Sequence, residues 1–338
     1  MLTAMDSTGP ASDPRLPAGY RLREFADSDR EPIVAERNVH LPPMQHGTAD
    51  EWREWERMDP PKDELRVTLV APDGSVAGGS TVGPRRMGDS GDGTLSGQVQ
   101  VFRAHARKGI GRALLELIES EAKRRNAPRI LSAVSAAIPG ALDWAVKRGY
   151  VEIGRRIESY VDVQTFDATP FRDLVTRVKG SGIRLLTFAE RVDGLDDAGR
   201  EAFWRGLWEA EGPVWDDVPW AAPAPHWPYE RFHRLVVESG KTLMEASILA
   251  LDGERIAGFT STIKQQDKGF TAMTGTAREY RGRQIALAMK VAMLERARAA
   301  GLSAMLTTND EPNKAMRGIN AKLGYVMLPA RVELAKTL

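Results

Sequence analysis

Apolar and polar residues follow one another along the chain in two similar blocks. In the first block the alternation predicts strands, which lie at about 65–71, 76–83 and 94–102. A helical period follows over 109–125, and its apolar positions are Ile110, Ala113, Leu114, Leu117 and Ile118. The second block repeats this order, with strands at 243–251, 255–263 and 270–276 and a helix over 284–300. The pattern predicts an α/β chain of two related units.

The two blocks also share a short basic motif where the long helix begins. The first reads Ala106-Arg107-Lys108-Gly109-Ile110-Gly111-Arg112, and the second reads Arg281-Gly282-Arg283-Gln284-Ile285-Ala286. Forty residues after Gly109 and after Gln284 comes a Gly-Tyr pair, Gly149-Tyr150 and Gly324-Tyr325. One shift of 175 residues superimposes both motifs and both pairs, which indicates a duplicated unit. A basic turn at a helix start presents unpaired main-chain N–H groups and predicts a phosphate-bearing ligand.

Composition and charge limit the kinds of site that the chain can carry. The 47 Lys and Arg residues balance 46 Asp and Glu residues, so we expect neither a nucleic-acid partner nor a membrane partner. The absence of cysteine excludes disulfides, thiolate metal sites and a cysteine nucleophile. We expect no metal, because metal-ligand spacing is missing among the histidines, which are His40, His46, His105, His226 and His233.

Chain length and local composition predict the domain boundaries. We expect a disordered tail over 1–18, a first domain over 19–164, a connection over 165–182 and a second domain over 183–338. Residues 1–17 are polar and lack the apolar segment of a signal peptide. Because no apolar run approaches the ~18 residues that span a bilayer, we expect a cytoplasmic protein. The second block also predicts helices at 198–210 and 229–238 and a last strand at 326–334.

The two turns and their Gly-Tyr pairs resemble the GNAT superfamily of acyl-CoA-dependent N-acyltransferases. That family carries Gln/Arg-x-x-Gly-x-Gly/Ala, followed about forty residues later by Gly-Phe or Gly-Tyr. The second turn matches at Arg281 and Ala286 and has Gln284 in place of glycine, whereas the first keeps Gly109 and Gly111 and begins with Ala106. The resemblance covers nearly the whole chain and implies a tandem, mycothiol synthase-like architecture. Each unit is then expected to be a mixed, mainly antiparallel sheet flanked by helices.

The resemblance implies that acetyl-CoA is the co-substrate and assigns residues to bind it. The turn after the fourth strand would hold the pyrophosphate, and that strand is expected to end at Thr276 in the second copy and at Val101 in the first. The expected binding residues of the second copy are Thr276, Arg281, Gly282, Arg283, Gln284, Ile285, Ala286, Asn309 and Asn313. Those of the first copy are Val101, Arg107, Lys108, Gly109, Ile110, Gly111 and Arg112.

The resemblance also favours catalysis in the second copy, by direct attack of an amine on the thioester. Thr276, Asn309 and Asn320 are its candidate catalytic residues, and the first copy has no asparagine at the matching strand end. Members of the family often place a proton-donating tyrosine where this chain has Asn320 and Ala145. The residues do not single out one general base. The candidate carboxylates, each of which is also explained as a solvated surface group, are Glu209, Glu211, Asp216, Asp217 and Glu245.

A tryptophan-rich stretch is the candidate acceptor pocket, with Trp208, Glu211, Trp215, Asp216 and Trp220 as its residues. Aromatic faces and carboxylates suit a cationic amine, although a packed loop explains the same residues. We expect acetyl transfer to the primary amine of a small molecule or a peptide. Two alternatives stay open, a non-catalytic CoA-binding scaffold and an aminoacyl-tRNA-dependent transferase, and the balanced charge disfavours the second. The sequence sets neither the acyl chain length nor the oligomeric state.

Overall fold

The computed structural model describes residues 13–86, 91–222 and 224–338, which divide into two compact units. Unit 1 contains the chain up to Gly154 together with Arg331–Leu338, and unit 2 contains Arg155–Ala330. The sequence predicts a disordered tail over 1–18, and residues 1–12 of it lie outside the described residues. Within the described part of that segment, Leu16 packs against a hydrophobic cluster of unit 1.

Within the described residues, the first half of the chain contains the three strands and the long helix that the sequence predicts, together with six further strands and helices. Its elements are β1 Arg21–Glu24, α1 Arg30–Val39, α2 Ala49–Met58, β2 Leu65–Val70, β3 Val76–Pro84, β4 Leu95–Val101, α3 Ile110–Arg124, β5 Arg129–Ser135, α4 Ala141–Val146 and β6 Val151–Asp162. The start of α2 shows how local chemistry sets a boundary. Thr48 Oγ1 accepts from Glu51 N at 3.1 Å, and Thr48 N donates to the Glu51 carboxylate at 2.9 Å, which is a capping box.

The second half adds the remaining elements. They are α5 Arg172–Gly180, β7 Ile183–Thr187, α6 Phe188–Val192, α7 Asp197–Asp216, α8 Tyr229–Phe232, β8 Ile248–Asp252, β9 Arg255–Gln265, β10 Lys268–Thr276, α9 Ile285–Ala299, β11 Ala304–Asp310, α10 Lys314–Lys322, β12 Val326–Met327 and β13 Arg331–Thr337. A π-helical turn over His233–Glu238 continues α8, as the predicted helix over 229–238 requires. In the described residues, no helix is both long and apolar enough to cross a membrane.

Each unit is built on a mixed, mostly antiparallel sheet. The strand order is β1-β2-β3-β4-β5-β13 in unit 1 and β6-β11-β10-β9-β8-β7 in unit 2. Parallel pairs occur at β4–β5 in the first unit and at β10–β11 in the second. Helices α3 and α9 bury their apolar faces in the cores of units 1 and 2 respectively. The fold class expected from the sequence is therefore confirmed.

The ends of the two units differ from the expected boundaries. The strand predicted over 326–334 is divided, because β12 pairs with β6 in unit 2 whereas β13 pairs along β5 in unit 1. Pro329 lies between these two strands and has no N–H to donate to a ladder, so the strand ends there. The last eight residues thus complete unit 1, and residues 155–162 belong to unit 2.

Two segments that lie outside the predicted helices are helical, because their apolar side chains are buried. The expected connection over 165–182 contains α5, whose Leu174 and Val178 lie one turn apart and are buried in the unit 2 core. Helix α7 was predicted to end near residue 210 but continues through Pro213 to Asp216. Val214 and Trp215 fall on the same face as the buried Leu207, so their burial outweighs the lost helix hydrogen bond at proline.

Candidate active site

Strands β10 and β11 of unit 2 pair over only part of their length. Lys268–Thr271 lies beside Ala304–Thr307, and beyond these residues the two strands show no further pairing in the described chain. Between Thr271 and Met273 the register of β10 against β9 shifts, which marks a β-bulge. Strand β10 nevertheless continues to Thr276, the end that the sequence predicts. Because the far halves of the strands separate, they form an open wedge that we call the β10–β11 wedge.

The wedge contains a cavity of about 70 Å³ with both polar and apolar walls. Its walls come from residues 271–274 of β10 and residues 307–310 of β11, and Asn313, Met316 and Trp220 close its rim. One water needs roughly 10–15 Å³ of such accessible volume. This cavity therefore has room for several waters or for one short chemical group. Of the candidate catalytic residues, Asn309 lines it directly.

Asn320 holds the side chain of Asn309 in place. Its Nδ2 donates to Asn309 Oδ1 at 2.7 Å, and the Asn320 side chain is almost completely buried. Asn320 Oδ1 is buried as well and has no hydrogen-bond partner within the described residues. Asn313 caps α10, where its side chain accepts from Met316 N at 3.2 Å. The amides that the resemblance singled out are thus together at one end of the wedge, where they can orient a ligand but cannot donate a proton as an acid.

The turn before α9 exposes the N–H groups of a helix start. The first main-chain hydrogen bond of the helix runs from Ala288 N to Gln284 O at 3.1 Å, so Ile285, Ala286 and Leu287 have no carbonyl one helical turn back. Such groups, together with the positive end of the helix dipole, bind anions. The structure therefore has a backbone arrangement at 282–287 that fits a pyrophosphate.

The two turns have the same backbone path although their glycines differ. In unit 2, Gly282 has φ +78° and Gln284 has φ +63°. In unit 1 the equivalent residues are Arg107 with φ +63° and Gly109 with φ +81°. Each turn therefore contains two left-handed residues, and the glycine stands at the first in one turn and at the second in the other. This explains why Gln284 is compatible with the turn, at the cost of left-handed strain.

The arginines around the unit 2 turn have protein partners. Arg281 donates to Asp217 at 2.5 Å and to the carbonyl of Thr276 at 3.1 Å, and Arg278 donates to the other Asp217 oxygen at 2.6 Å. These two guanidinium groups hold the pKa of Asp217 well below its usual range, which makes that carboxylate a poor general base. Arg283 lies over the ring of Tyr280, 5.2 Å from its centroid.

The tryptophan-rich stretch forms a packed cluster. Trp215 lies 4.9 Å from Trp220 and 5.5 Å from Trp227, measured between ring centroids, and its Nε1 donates to the carbonyl of Ala224 at 2.7 Å. Trp208 stacks on His226, which lies 3.4 Å from the Glu211 carboxylate. Asp216 is exposed. Of the five residues predicted for an acceptor pocket, Trp220 lines the wedge cavity, and the described structure puts the other four outside its lining.

Sequence reasoning missed two cationic residues of the cavity, Lys290 and Arg156. Lys290 of α9 lines the cavity and is completely buried, and burial lowers its pKa to about 7. Arg156 of β6 also lines the cavity, and its guanidinium lies 5.8 Å from the Trp220 ring centroid. A signal was present in the sequence, because the shift of 175 residues superimposes Lys290 on Leu115, an apolar core position.

In unit 1 an aromatic side chain lies against the equivalent helix start. A Cβ atom added at Gly111, in the first turn of α3, would lie 3.3 Å from the ring of Trp144 and 3.7 Å from Val101, where β4 ends. The residue equivalent to Trp144 in unit 2 is the smaller Ile319. Lys108 donates to Tyr20 Oη at 3.0 Å, so this cation of the first turn is also occupied.

The fold is similar to those of several solved N-acetyltransferases. A GCN5-related N-acetyltransferase from Sphaerobacter thermophilus is 22% identical, with a TM-score of 0.71 over 95% of this chain and 96% of that one. A tandem GNAT protein from the clavulanic acid biosynthesis pathway is 18% identical, with a TM-score of 0.66 over 94% and 98%. None of the curated proteins matches the chain in sequence. The acetyltransferase (GNAT) family profile matches residues 23–150 and 203–325, so the chain belongs to the GNAT family of acyl-CoA-dependent N-acyltransferases.

Proposed function

We propose that unit 2 binds acyl-CoA in the β10–β11 wedge and transfers its acyl group, acetyl in the simplest case, to a primary amine. The acceptor is a small molecule or a peptide. The observation that carries this proposal is the loss of β10–β11 pairing after Thr271 and Thr307, which opens a cavity beside unpaired strand edges. An extended pantetheine arm can pair with such edges as a strand would. The similar fold of a tandem GNAT protein supports a two-unit architecture of this kind.

The turn before α9 suits the pyrophosphate of CoA. The N–H groups of Ile285, Ala286 and Leu287 lie at the helix start, and Arg283 adds a positive charge there. Arg281, which the sequence assigns to phosphate, is held by Asp217, so a phosphate has to compete with that carboxylate for it. The main-chain N–H groups therefore make the larger contribution to binding, and the arginines make a smaller one.

The reaction needs little covalent participation from the protein. The neutral amine attacks the thioester carbonyl, a C–N bond forms and the C–S bond breaks, and the proton lost by the amine balances the one that the CoA thiolate takes up. Main-chain N–H groups of β10 beyond the bulge at Thr271 are suited to stabilise the oxyanion that develops at the carbonyl. A thiol with a pKa of about 8.5 can leave as the thiolate without an acid, consistent with an amide at Asn320.

We propose that unit 1 does not bind the reacting acyl-CoA. Trp144 lies against the first turn of α3 beside the end of β4, where a pantetheine arm would have to pass. The first turn also has its Lys108 engaged by Tyr20. Unit 1 then serves as a second, structural copy of the fold.

Calorimetric titration with acetyl-CoA tests the assignment through a matched pair of variants. Arg283→Glu and Lys108→Glu change equivalent positions of the two turns. A charge-assisted contact is worth about 1.5–3 kcal/mol, so Arg283→Glu is expected to weaken binding about 10- to 100-fold. Lys108→Glu is expected to bind like the wild type. The opposite result would assign the site to unit 1, and an absence of binding by the wild type would contradict the acyltransferase proposal. Release of the CoA thiol over a panel of primary amines then identifies the acceptor class.

A further inference from the structure

Lys290 is an unusual residue for the floor of a cavity. Its side chain has no solvent-exposed surface, and its Nζ has no hydrogen-bond partner in the parts of the chain that the structure describes. The Nζ lies 5.0 Å from the centroid of the Tyr325 ring. A buried amine without a hydrogen bond is costly to a folded protein. Such a group is therefore expected to have a partner that the protein alone does not supply.

The duplication shows that the fold does not need a lysine at this position. The equivalent residue of unit 1 is Leu115, which is buried on the same helix and packs in a hydrophobic cluster. Tyr325 also has its counterpart, Tyr150, so the aromatic neighbour is present in both units. The change from leucine to lysine occurs in the unit that has the β10–β11 cavity, which associates the amine with the ligand of that cavity.

Lys290 lies where the wedge narrows. Thr271 and Thr307, the last paired residues of β10 and β11, line the same cavity and are nearly fully buried. Thr271 Oγ1 also lies 3.6 Å from the sulfur of Met293, one turn after Lys290 on α9. The lining at this end of the wedge therefore includes two hydroxyl groups and an amine. A purely hydrocarbon acyl tail would leave the Lys290 amine without a partner.

The charged groups around the cavity favour an anion. Arg156 faces it from β6, and its Nε is buried with no hydrogen-bond partner in the described chain. Asp310 faces it from β11 and is the acidic residue of this lining. The lining therefore carries two basic side chains and one acidic one, and both basic side chains have a buried nitrogen without a hydrogen bond.

We propose that the narrow end of the β10–β11 wedge takes an acyl group that ends in a carboxylate, such as a succinyl group, and that Lys290 Nζ binds this carboxylate. The proposal depends on the acyl-CoA site of unit 2 proposed above and concerns the cavity beyond the thioester. In it, a short dicarboxylic acyl group is transferred in preference to an uncharged one of equal length. Lys290 is then a specificity-determining residue, and Leu115 marks the same position in a unit without that role.

Binding of two acyl-CoAs without any acceptor amine provides the first test. Succinyl-CoA and butyryl-CoA both carry four-carbon acyl groups, and only the first ends in a carboxylate. A carboxylate beside Lys290 stabilises its charged form, so the complex takes up a proton at pH 8, where the free amine is mostly neutral. Calorimetry in two buffers of different ionisation enthalpy is expected to show uptake of nearly one proton with succinyl-CoA and of none with butyryl-CoA. Equal proton uptake with both ligands would overturn the proposal.

Variants at Lys290 provide the second test. Lys290→Met is expected to lower kcat/KM for succinyl-CoA by about 10- to 100-fold, the size of one charged hydrogen bond, and to change kcat/KM for butyryl-CoA less than about threefold. Lys290→Arg is expected to restore part of the preference, and Lys322→Met, at an exposed position of α10, is the control. If Lys290→Met affects both donors equally, the proposal is wrong although the acyltransferase site stands. If no acyl-CoA binds to any variant or to the wild type, the proposed function fails with it.

Discussion

Replacement of Lys290 by methionine is expected to stabilise unit 2 by an amount that depends on pH. The side chain is fully buried, and desolvation lowers its pKa from 10.5 to about 7. Since one pKa unit corresponds to about 1.4 kcal/mol, burial makes the folded state at pH 7 about 5 kcal/mol less stable than a lysine of ordinary pKa would. Methionine has a similar length and no charge, so Lys290→Met removes this cost.

The stabilisation expected for Lys290→Met depends on pH in a definite direction. Between pH 7 and 10.5 the unfolded chain keeps a proton on Lys290 that the folded protein has lost, so the free energy of unfolding rises with pH. The slope is about 1.4 kcal/mol per pH unit, which leaves a cost of about 2 kcal/mol at pH 9. The stability difference between Lys290→Met and the wild type is therefore expected to shrink from pH 7 to pH 9.

Urea unfolding at pH 7, 8 and 9 measures this difference. Tryptophan fluorescence reports mainly on unit 2, which contains five of the eight tryptophans, Trp204, Trp208, Trp215, Trp220 and Trp227. Other titrating groups are common to both proteins and cancel in the comparison. Lys322→Met serves as the control, with no pH-dependent difference from the wild type expected. If the unfolding curves of Lys290→Met and the wild type shift in parallel at all three pH values, the amine is not buried in its neutral form and the reasoning is refuted.

Three further substitutions test other parts of the site. Gln284→Gly removes the strain of a left-handed side-chain residue, about 1–2 kcal/mol, and adds an entropy cost of glycine of about 0.5–1 kcal/mol. Urea unfolding is therefore expected to show a small gain in stability, and a loss would contradict this reasoning. Asp217→Asn removes the ion pair between Asp217 and Arg281, which frees Arg281 for the phosphate. Calorimetry is expected to show that acetyl-CoA binds severalfold more tightly, whereas weaker binding would indicate that the ion pair shapes the turn. Asn320→Leu leaves the Asn309 carboxamide without its donor, and a fall in kcat of about tenfold with intact folding is expected, which unchanged kinetics would exclude.

Local sequence patterns predict much of the fold because they depend on neighbours in the chain. An Asp-Gly pair between two strand patterns predicts a hairpin turn, and the chain has such pairs at Asp73-Gly74 and Asp252-Gly253. Both glycines have the left-handed backbone that such turns require, with φ +88° at Gly74 and φ +58° at Gly253. The end of β10 at Thr276 and the capping box of α2 follow from local chemistry as well. The pairing of β13 with β5 joins residues about 200 positions apart, and a strand pattern does not specify its partner.

The candidate site divides in the same way. The position of the turn before α9 follows from the duplicated motif, and Asn309 and Asn320 come together as an end-of-strand residue and a helix residue that the resemblance singles out. The ion pair between Asp217 and Arg281 depends on where α7 ends, which burial of Trp215 decides. Lys290 was missed because lysine is normally a surface residue, and periodicity alone does not distinguish a buried amine from an exposed one.

Hydrogen exchange with and without acetyl-CoA tests the central claim, that acyl-CoA binds in the β10–β11 wedge of unit 2. The account predicts that the ligand protects amides within residues 272–276, where β10 pairs with β9 but no longer with β11, and within residues 282–287, where the N–H groups at the helix start have no helical carbonyl partner in the described chain. The equivalent segments of unit 1, residues 97–101 and 107–112, are expected to exchange at the same rate with and without the ligand. Protection confined to those unit 1 segments, or protection of neither pair, would contradict the account.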